Sequence, residues 1–247
     1  MTVSDPAAPR PESGSSNLLL RIASSAVLAP VAILIAWLGG WVFVLFWTAC
    51  ACIVLWEWSA LVRNSSPLEA SGYGWFAGWM IAGLAYAGAL LLAPVILRAD
   101  VALGLVAILF LFAIVWGTDI AAYFAGRGIG GPKLWPAVSP KKTWSGALGG
   151  TLGGIAAGLL VLALAGLAIS PMVIVIAFVL SVVSQAGDLL ESAIKRRFGA
   201  KDASQLIPGH GGLMDRLDGF LTAALAAVMV GLLRGGLDGP ARGLLVW

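Results

Sequence analysis

Charged residues are scarce in this chain. Only 11% of its 247 residues are Asp, Glu, Lys or Arg, whereas 60% are hydrophobic, and the mean hydropathy is +0.97. A composition this apolar lies outside the range of soluble globular proteins and inside that of polytopic membrane proteins. The net charge of +3 is better explained by loops enriched in Lys and Arg than by nucleic-acid binding. The sequence therefore predicts an integral membrane protein that does not bind nucleic acid.

Cysteine and histidine are nearly absent. The two cysteines, Cys50 and Cys52, lie in one apolar run, and a spacing of two residues points them to different faces of a helix. This spacing disfavours a disulfide or a shared metal, so we expect both to be buried as small hydrophobic side chains. The only histidine, His210, lies in a segment between two apolar runs that also gathers acids and bases.

Seven apolar runs are long enough to cross a bilayer, because a hydrocarbon core about 30 Å thick takes about 20 residues of helix. We expect an all-α fold, a polytopic transmembrane helical bundle of about seven to nine spans with short cytoplasmic loops. Gly88 and Pro94 could break the third run into two helices, so a total of eight or nine spans is an alternative. The seven runs lie near residues 22–38, 41–61, 74–96, 101–124, 147–167, 172–190 and 219–235.

The first 17 residues are rich in Pro, Ser and Ala and contain no apolar core. We expect residues 1–17 to form a disordered cytoplasmic tail, not a signal peptide, and the span after Arg21 to be retained. Residues 18–247 then form a single integral membrane domain. Its C-terminal part, residues 101–235, contains the side chains that could carry out chemistry.

Basic residues predict the topology. Arg10, Arg21 and Arg63 flank the first two spans, which are joined by an uncharged Gly39-Gly40 turn. Two later loops carry most of the remaining bases, and because two spans separate these loops, both lie on the same face. The positive-inside rule assigns that face to the cytoplasm. The bases of the two loops are Arg127, Lys133, Lys141, Lys142, Lys195, Arg196, Arg197, Lys201 and Arg216.

Four glycines recur every four residues between these loops, at Gly146, Gly150, Gly154 and Gly158. Small residues at this spacing favour the close approach of two membrane helices, either within one chain or between two copies. A glycine-rich phosphate loop is the alternative. It is disfavoured because the pattern lacks a Lys-Ser/Thr ending and does not follow a predicted strand.

The segment from residue 188 to residue 218 is the strongest candidate for a site, because ionisable residues beside membrane spans are costly and usually functional. If the sixth span stays helical into the loop, Asp188, Ser192 and Lys195 lie on one face. We expect this helix to end near Phe198-Gly199, with glycine in its usual C-terminal role.

The last span should begin near Leu213, directly after Gly211-Gly212. A helix start that follows a glycine pair is a natural anion site, and phosphate is the anion we expect. Asp215 and Asp218 are neighbours on its first turn, and Asp188 could approach Asp215 from the preceding span. Two close carboxylates repel each other, and a divalent cation would relieve that repulsion while holding phosphate oxygens.

Oxygen ligands without cysteine favour Mg²⁺ or Mn²⁺ over zinc. In the alternative interpretation, these acids pair with Arg196, Arg197 and Arg216 in a solvated loop or cap the last helix. His210 could act as a base, or it could hydrogen-bond a phosphate or the backbone.

A second polar group comes from the fourth span and the loop that follows it. Asp119 ends an apolar run, which argues for a function. Ser139 followed by Pro140 has the form of a helix N-cap, which would place Lys141, Lys142 and Thr143 on a first helical turn. Lysines and a hydroxyl at a helix start suit phosphates, although the lysines could equally contact anionic lipid headgroups.

Taken together, these residues resemble the CDP-diacylglycerol synthase, or phosphatidate cytidylyltransferase, family. The signature runs through S-A-I-K-R from Ser192, K-D-A-S from Lys201 and I-P-G-H-G-G-L-M-D-R-L-D from Ile207, and it matches at every fixed position. The S-P-K-K-T-W segment from Ser139 and the D-x-x-A-Y-F-x-G-R run from Asp119 are also similar to family features. The resemblance covers most of the chain from the fourth span onward.

The resemblance implies a Mg²⁺-dependent reaction at the cytoplasmic face, in which CTP and phosphatidate give CDP-diacylglycerol and pyrophosphate. Mn²⁺ is the alternative metal, and a second, monovalent cation would fit beside it. The implied setting is a bacterial inner membrane, surrounded by membrane lipids, with the protein as a homodimer. Asp188 and Asp215 are the expected metal ligands. The expected catalytic residues are Asp188, Lys195, His210, Asp215 and Asp218, and the expected substrate-binding residues are Asp119, Ser139, Lys141, Lys142, Thr143, Ser192, Arg196, Lys201, Asp202, Gly211, Gly212 and Arg216.

One position departs from the family pattern: Ser145 stands where these proteins usually have glutamate. Three rival functions fit the sequence less well. A CTP-dependent polyprenol or phytol kinase would not be expected to carry the full signature, and the D-G-x-x-A-R opening of CDP-alcohol phosphotransferases is missing from the sequence. A secondary transporter would place its charges near the midplane within an inverted repeat, whereas here they gather on one face.

Overall fold

The computed structural model describes residues 27–64, 68–206 and 211–247. The predicted tail, the start of the first predicted span and His210 lie outside these residues. The described elements are α1 Val27–Leu38, α2 Gly40–Arg63, α3 Leu68–Ala99, α4 Gly104–Gly128, β1 Lys133–Trp135, β2 Ser139–Thr143, α5 Trp144–Leu164, α6 Pro171–Arg197, α7 Met214–Gly235 and α8 Pro240–Leu245.

The apolar runs of the sequence are helices, which confirms a polytopic helical membrane protein. Within the described residues, the six helices α2 to α7 are long and apolar enough to cross a membrane, and α1 is shorter. Helix α3 continues past Gly88 and contains Pro94 in its interior, so the third run is one span and not two. The other ends also match expectation: α6 is followed by Phe198 and by Gly199 with φ of 71°, and α7 begins at Met214.

The loop after α4 folds differently from the prediction. Strands β1 and β2 pair antiparallel, with Lys133 opposite Thr143 and Trp135 opposite Ser139. The prediction that Ser139 caps a helix carrying Lys141, Lys142 and Thr143 on its first turn is wrong, because these residues form β2. The helix starts at Trp144, and Thr143 is its N-cap, with its Oγ1 accepting the N–H of Gly146 at 3.1 Å. Pro140 is tolerated in β2 because an outer strand of a hairpin can do without one N–H donor.

Gly146, Gly150, Gly154 and Gly158 of α5, which we call the glycine stripe, lie inside the molecule. Helix α5 packs along α4, and Cβ atoms added to its glycines would collide with that neighbour. A Cβ at Gly150 would lie 2.9 Å from the carbonyl oxygen of Thr118, and one at Gly154 would lie 2.9 Å from the carbonyl oxygen of Ile114. The stripe therefore serves packing within the chain, as small residues in membrane helices allow.

Helix α7 lies at the centre of the bundle and contacts α2, α3, α4, α6 and α8. Its Phe220 stacks on the buried Trp47 of α2 with ring centroids 4.9 Å apart. The central position of α7 fixes the start of this helix, which carries Asp215 and Asp218.

The two cysteines of α2 differ in exposure. Cys50 is buried as expected, but Cys52 is exposed, which corrects the prediction that both are buried.

Asp100, between α3 and α4, links helices at the end of the bundle opposite the hairpin. Its carboxylate accepts the N–H groups of Ala102 and Leu103 at 3.0 Å each and that of Arg242 in α8 at 3.0 Å. Burial tends to raise the pKa of Asp100, but these backbone N–H groups favour the charged form and hold the pKa below its ordinary value of 3.8. Asp100 thus attaches α8 to the bundle.

Candidate active site

Six carboxylates and two bases line one cavity of about 320 Å³ at the hairpin end of the bundle. The C-terminal part of α6 and the first turn of α7 contribute most of them, because both helices end in the same layer and pack against each other. We call this space the acidic cavity. It is lined by Asp119, Asp188, Glu191, Lys195, Asp202, Asp215, Arg216 and Asp218.

Lys195 is held between two carboxylates. Its Nζ lies 2.8 Å from Oε2 of the buried Glu191, one helical turn earlier, and it also donates to Oδ1 of Asp215 across the cavity. The lysine side chain is only 10% exposed. Two carboxyl side chains compensate a lysine charge that would otherwise be costly at this depth. Lys195 therefore joins α6 to α7.

Asp215 also orders the connector between these helices. Its Oδ2 accepts the N–H groups of Ala203 at 3.0 Å and Gly212 at 2.7 Å. Gly211 adopts a φ of 84°, a conformation that favours glycine, and a Cβ there would lie 2.8 Å from Asp215 Oδ2. The carboxylate is thus surrounded by N–H donors and by Lys195.

Asp188 and Asp218 have a different environment. Asp188 pairs with Lys142 at 2.6 Å and accepts a long hydrogen bond from Ser192 at 3.4 Å. Asp218 accepts the N–H of Gly219 at 2.7 Å. Asp188, Glu191 and Asp119 line the same cavity as Asp218, so four carboxyl groups gather there. Carboxylates gathered in this way attract a cation.

A second cavity, of about 500 Å³, lies beside the first and shares Asp119 and Asp188 with it. We call it the hairpin groove, because β2 forms one wall. Bases stand on its polar side, whereas small and apolar residues of α4 and α5 form the rest. Its lining is Asp119, Ala122, Tyr123, Gly126, Arg127, Leu134, Lys141, Lys142, Thr143, Gly146, Ala147, Gln185 and Asp188.

Not every predicted residue lies at these cavities. Of the described residues, Ser139, Ser192, Arg196, Lys201, Gly211 and Gly212 are outside both linings. Arg196 is exposed and donates to the carbonyl oxygen of Ala200 at 3.3 Å. Ser145 hydrogen-bonds to the carbonyl oxygen of Gly130 and lies 3.1 Å from Thr143 Oγ1, so it joins the hairpin to the loop after α4.

Two acidic residues at or near the site, Glu191 and Glu57, were not predicted from the sequence to have a role. Glu191 lines the acidic cavity, and its place four residues before Lys195 was a usable signal for an ion pair. Glu57 is a lone acid within the apolar run of α2, and it is buried against the start of α7. The rule that acids in membrane spans are functional would have selected it, but its partners are 147 to 157 residues away in sequence.

The carboxylate oxygens of the acidic cavity are ligands of the type that Mg²⁺ prefers. No three acidic, histidine or cysteine side chains among the described residues form a ready-made metal shell. Mg²⁺, however, is usually bound through one or two carboxylates together with substrate phosphates and water. Asp188 and Asp218 meet that requirement, because both are carboxylates that line the acidic cavity.

Comparison with known proteins places these residues in a family. Residues 67–233 match the model of the cytidylyltransferase family. Over 262 aligned residues the chain is 40% identical to a phosphatidate cytidylyltransferase of Brucella suis, with 91% of this chain and 97% of that protein covered. A phosphatidate cytidylyltransferase of Brucella abortus is 41% identical over 253 residues, with coverages of 87% and 94%. One from Staphylococcus epidermidis is 46% identical over 119 residues, 48% of this chain and 46% of that protein.

The chain therefore belongs to the cytidylyltransferase family. The resemblance seen in the signature is confirmed, and so is the prediction of an enzyme that transfers a nucleotidyl group. The matched region includes α4 to α6, the hairpin and the start of α7, and hence the described lining of both cavities.

Proposed function

We propose that this protein transfers the cytidylyl group of CTP to phosphatidate, giving CDP-diacylglycerol and pyrophosphate. The observation that supports it best is the pair of cavities that meet at Asp119 and Asp188. One cavity is small and rich in carboxylates, and the other is larger, less polar and flanked by lysines. A reaction between a soluble nucleotide and a membrane lipid needs two such adjoining compartments. Relatives named phosphatidate cytidylyltransferase support the choice of lipid.

The acidic cavity suits the triphosphate of CTP once a divalent cation is bound. Six carboxylates would repel bare phosphates, so nucleotide binding there requires compensating positive charge. We assign Asp188 and Asp218 to the cation, because both are carboxylates that line the acidic cavity, where like charges repel each other. The sequence predicted Asp215, with Asp218 in support, as the partner of Asp188, but the oxygens of Asp215 accept Lys195 and two backbone N–H groups. Mg²⁺ is the cation proposed, with Mn²⁺ as the alternative and a monovalent ion as an addition.

The hairpin groove suits the lipid. Lys141 and Lys142 on β2 and Arg127 at the end of α4 can receive the phosphate. Ala122, Leu134 and Ala147 provide apolar lining for the glycerol and the upper acyl chains. In this arrangement the lipid stays in the bilayer, and its phosphate reaches Asp188 at the boundary between the cavities.

The chemistry requires positioning and charge compensation. An oxygen of the phosphatidate phosphate attacks the α-phosphorus of CTP. A new P–O bond forms and completes a P–O–P linkage, while the bond from the α-phosphorus to the oxygen that bridges to the β-phosphorus breaks. Pyrophosphate leaves with the electron pair. Lys142 orients the attacking phosphate beside Asp188, and Arg216 contacts the departing phosphates, where negative charge increases. Mg²⁺, when bound, would compensate charge on the nucleotide phosphates.

The setting is also part of the proposal. The bases of the hairpin and of the α6 to α7 connector predict that this end faces the cytoplasm, in a bacterial inner membrane. A homodimer, implied by the family resemblance, would have to use a surface other than the glycine stripe, because α4 covers it.

The test is transfer of label from CTP in detergent micelles with phosphatidate and Mg²⁺. The proposal predicts that α-phosphate label enters the lipid and that pyrophosphate is released in equal amount. Transfer of γ-label to lipid would identify a kinase instead. A folded preparation that transfers neither label would favour a transporter.

A further inference from the structure

A buried carboxylate from α2 holds the start of α7. Glu57 has 0% exposure. Its Oε1 accepts Ser204 Oγ at 2.6 Å and the N–H of Leu213 at 2.9 Å, and its Oε2 accepts the N–H of Met214 at 2.7 Å. Glu57 therefore connects α2, the connector and the first residues of α7.

Helix α7 needs these contacts. The first N–H groups of any helix have no partner within it, and a residue at the N-cap usually supplies one. Leu213, the N-cap of α7, makes no capping hydrogen bond with its side chain. Glu57 supplies the cap from another helix, and its negative charge also suits the positive end of the helix dipole.

The residue before this helix start is fitted to the contact. A Cβ at Gly212 would lie 2.6 Å from Glu57 Oε1 and 3.0 Å from Ser204 Oγ. Any side chain at 212 would push the carboxylate away from the N–H groups. The glycine is thus explained by the approach of Glu57, independently of any anion bound at the helix start.

We propose that Glu57 is a positioning residue for the acidic cavity. Asp215 follows Met214 directly, and Asp218 lies one turn further, so fixing the start of α7 fixes both relative to Asp188 on α6. Glu57 acts through this contact, since it lies outside the cavity lining. The effect on turnover rests on the proposed function, whereas the contact itself does not.

The test uses the full-length protein in detergent and compares Glu57→Gln with Val54→Ala. Gln keeps the shape of the side chain but turns an N–H₂ group toward N–H donors. Val54, also 0% exposed in α2, is a matched control that loosens the same helix without touching the contact. Hydrogen exchange reports the backbone at residues 211–218, and steady-state kinetics report turnover.

In Glu57→Gln we expect amide exchange at residues 211–218 to rise about tenfold or more, while the middle of α7 keeps its protection. The kcat should fall about tenfold or more, and the KM for phosphatidate should stay within about twofold because the hairpin groove is unchanged. Ser204→Ala, which removes one of the three contacts, should shift both quantities less and in the same direction. If Glu57→Gln does not fold, Ser204→Ala is the variant that tests the proposal.

Unchanged exchange at residues 211–218 in these variants would overturn the proposal. So would a Val54→Ala protein that shows the same local exchange and the same loss of kcat at an equal loss of thermal stability. If exchange rises as expected but the wild-type protein transfers no α-label, the contact is supported and the proposed function fails.

Discussion

Lys142 of the hairpin and Asp188 of α6 form an ion pair of 2.6 Å at the point where the acidic cavity meets the hairpin groove. Their side chains are 28% and 35% exposed, so the pair is accessible to water and to a ligand. A phosphate that enters the hairpin groove can therefore compete with Asp188 for the lysine. The pair holds Lys142 at the junction of the cavities.

Replacing Lys142 by Gln should lower activity and leave stability almost unchanged. Exposed ion pairs contribute about 0–1 kcal/mol to stability. A hydrogen bond from a charged group to a substrate is worth about 1.5–3 kcal/mol, which corresponds to a roughly 10- to 100-fold loss of kcat/KM. Thermal unfolding and turnover in micelles check this.

Lys133→Gln is the control for that variant, because Lys133 is an exposed base on the neighbouring strand and outside both linings. A Lys142→Gln protein with normal turnover but a clearly lowered Tm would assign Lys142 to hairpin stability alone.

Asp218→Asn should inactivate the enzyme and yet stabilise it in the absence of divalent cations. Asp218 lines the acidic cavity together with Asp188, Glu191 and Asp119, so replacing its carboxylate removes one source of like-charge repulsion there. Each kcal/mol gained raises Tm by about 2–4 °C in a protein of this size. Mg²⁺ should raise the Tm of the wild-type protein, by binding the folded state, but not that of Asp218→Asn.

Asp215→Asn should instead lower Tm, since its carboxylate accepts Lys195 and the N–H groups of Ala203 and Gly212. Leaving such donors without an acceptor costs about 1–3 kcal/mol. The Mg²⁺-dependent rise in Tm should survive in Asp215→Asn, and its loss there would return Asp215 to the metal ligands. A rise that survives in Asp218→Asn would contradict the assignment of Asp218.

Gly150→Ala should destabilise the bundle by about 1–3 kcal/mol, because a Cβ there would lie 2.9 Å from the backbone oxygen of Thr118 and would force α4 and α5 apart. The matched control is Gly88→Ala in α3, where no described atom lies within 4 Å of the added Cβ. That substitution should be neutral or stabilising by up to about 1 kcal/mol. Unfolding in detergent measures both, and equal effects would contradict the packing of the stripe.

Asp100 predicts a pH dependence at the other end of the bundle. Its pKa is lowered in the folded state by backbone N–H groups, so its contribution to stability is present above its ordinary pKa of 3.8. That contribution is lost as the pH falls through the lower, folded pKa. The Tm difference between wild type and Asp100→Asn should therefore be full at pH 6 and should shrink steadily below about pH 4. A difference that is constant down to pH 3 would refute this role.

The sequence was sufficient for the features that depend on local composition. Long apolar runs predicted the helices, and the charged segment predicted that Asp188, Lys195, Asp215 and Asp218 meet. The hairpin was missed because Ser139-Pro140 suits the start of a strand as well as a helix N-cap. Glu57 was missed because its role depends on α2 packing against α7, and no local pattern encodes a contact over so many residues.

The division of the site between two substrates is tested most directly by measuring KM for CTP and for phosphatidate in Arg216→Gln and Lys141→Gln. Arg216 lines only the acidic cavity and Lys141 only the hairpin groove. We predict that Arg216→Gln raises the KM for CTP about tenfold and leaves that for phosphatidate within about twofold, with the reverse in Lys141→Gln. If both variants raise the KM of the same substrate, the two cavities do not hold separate substrates.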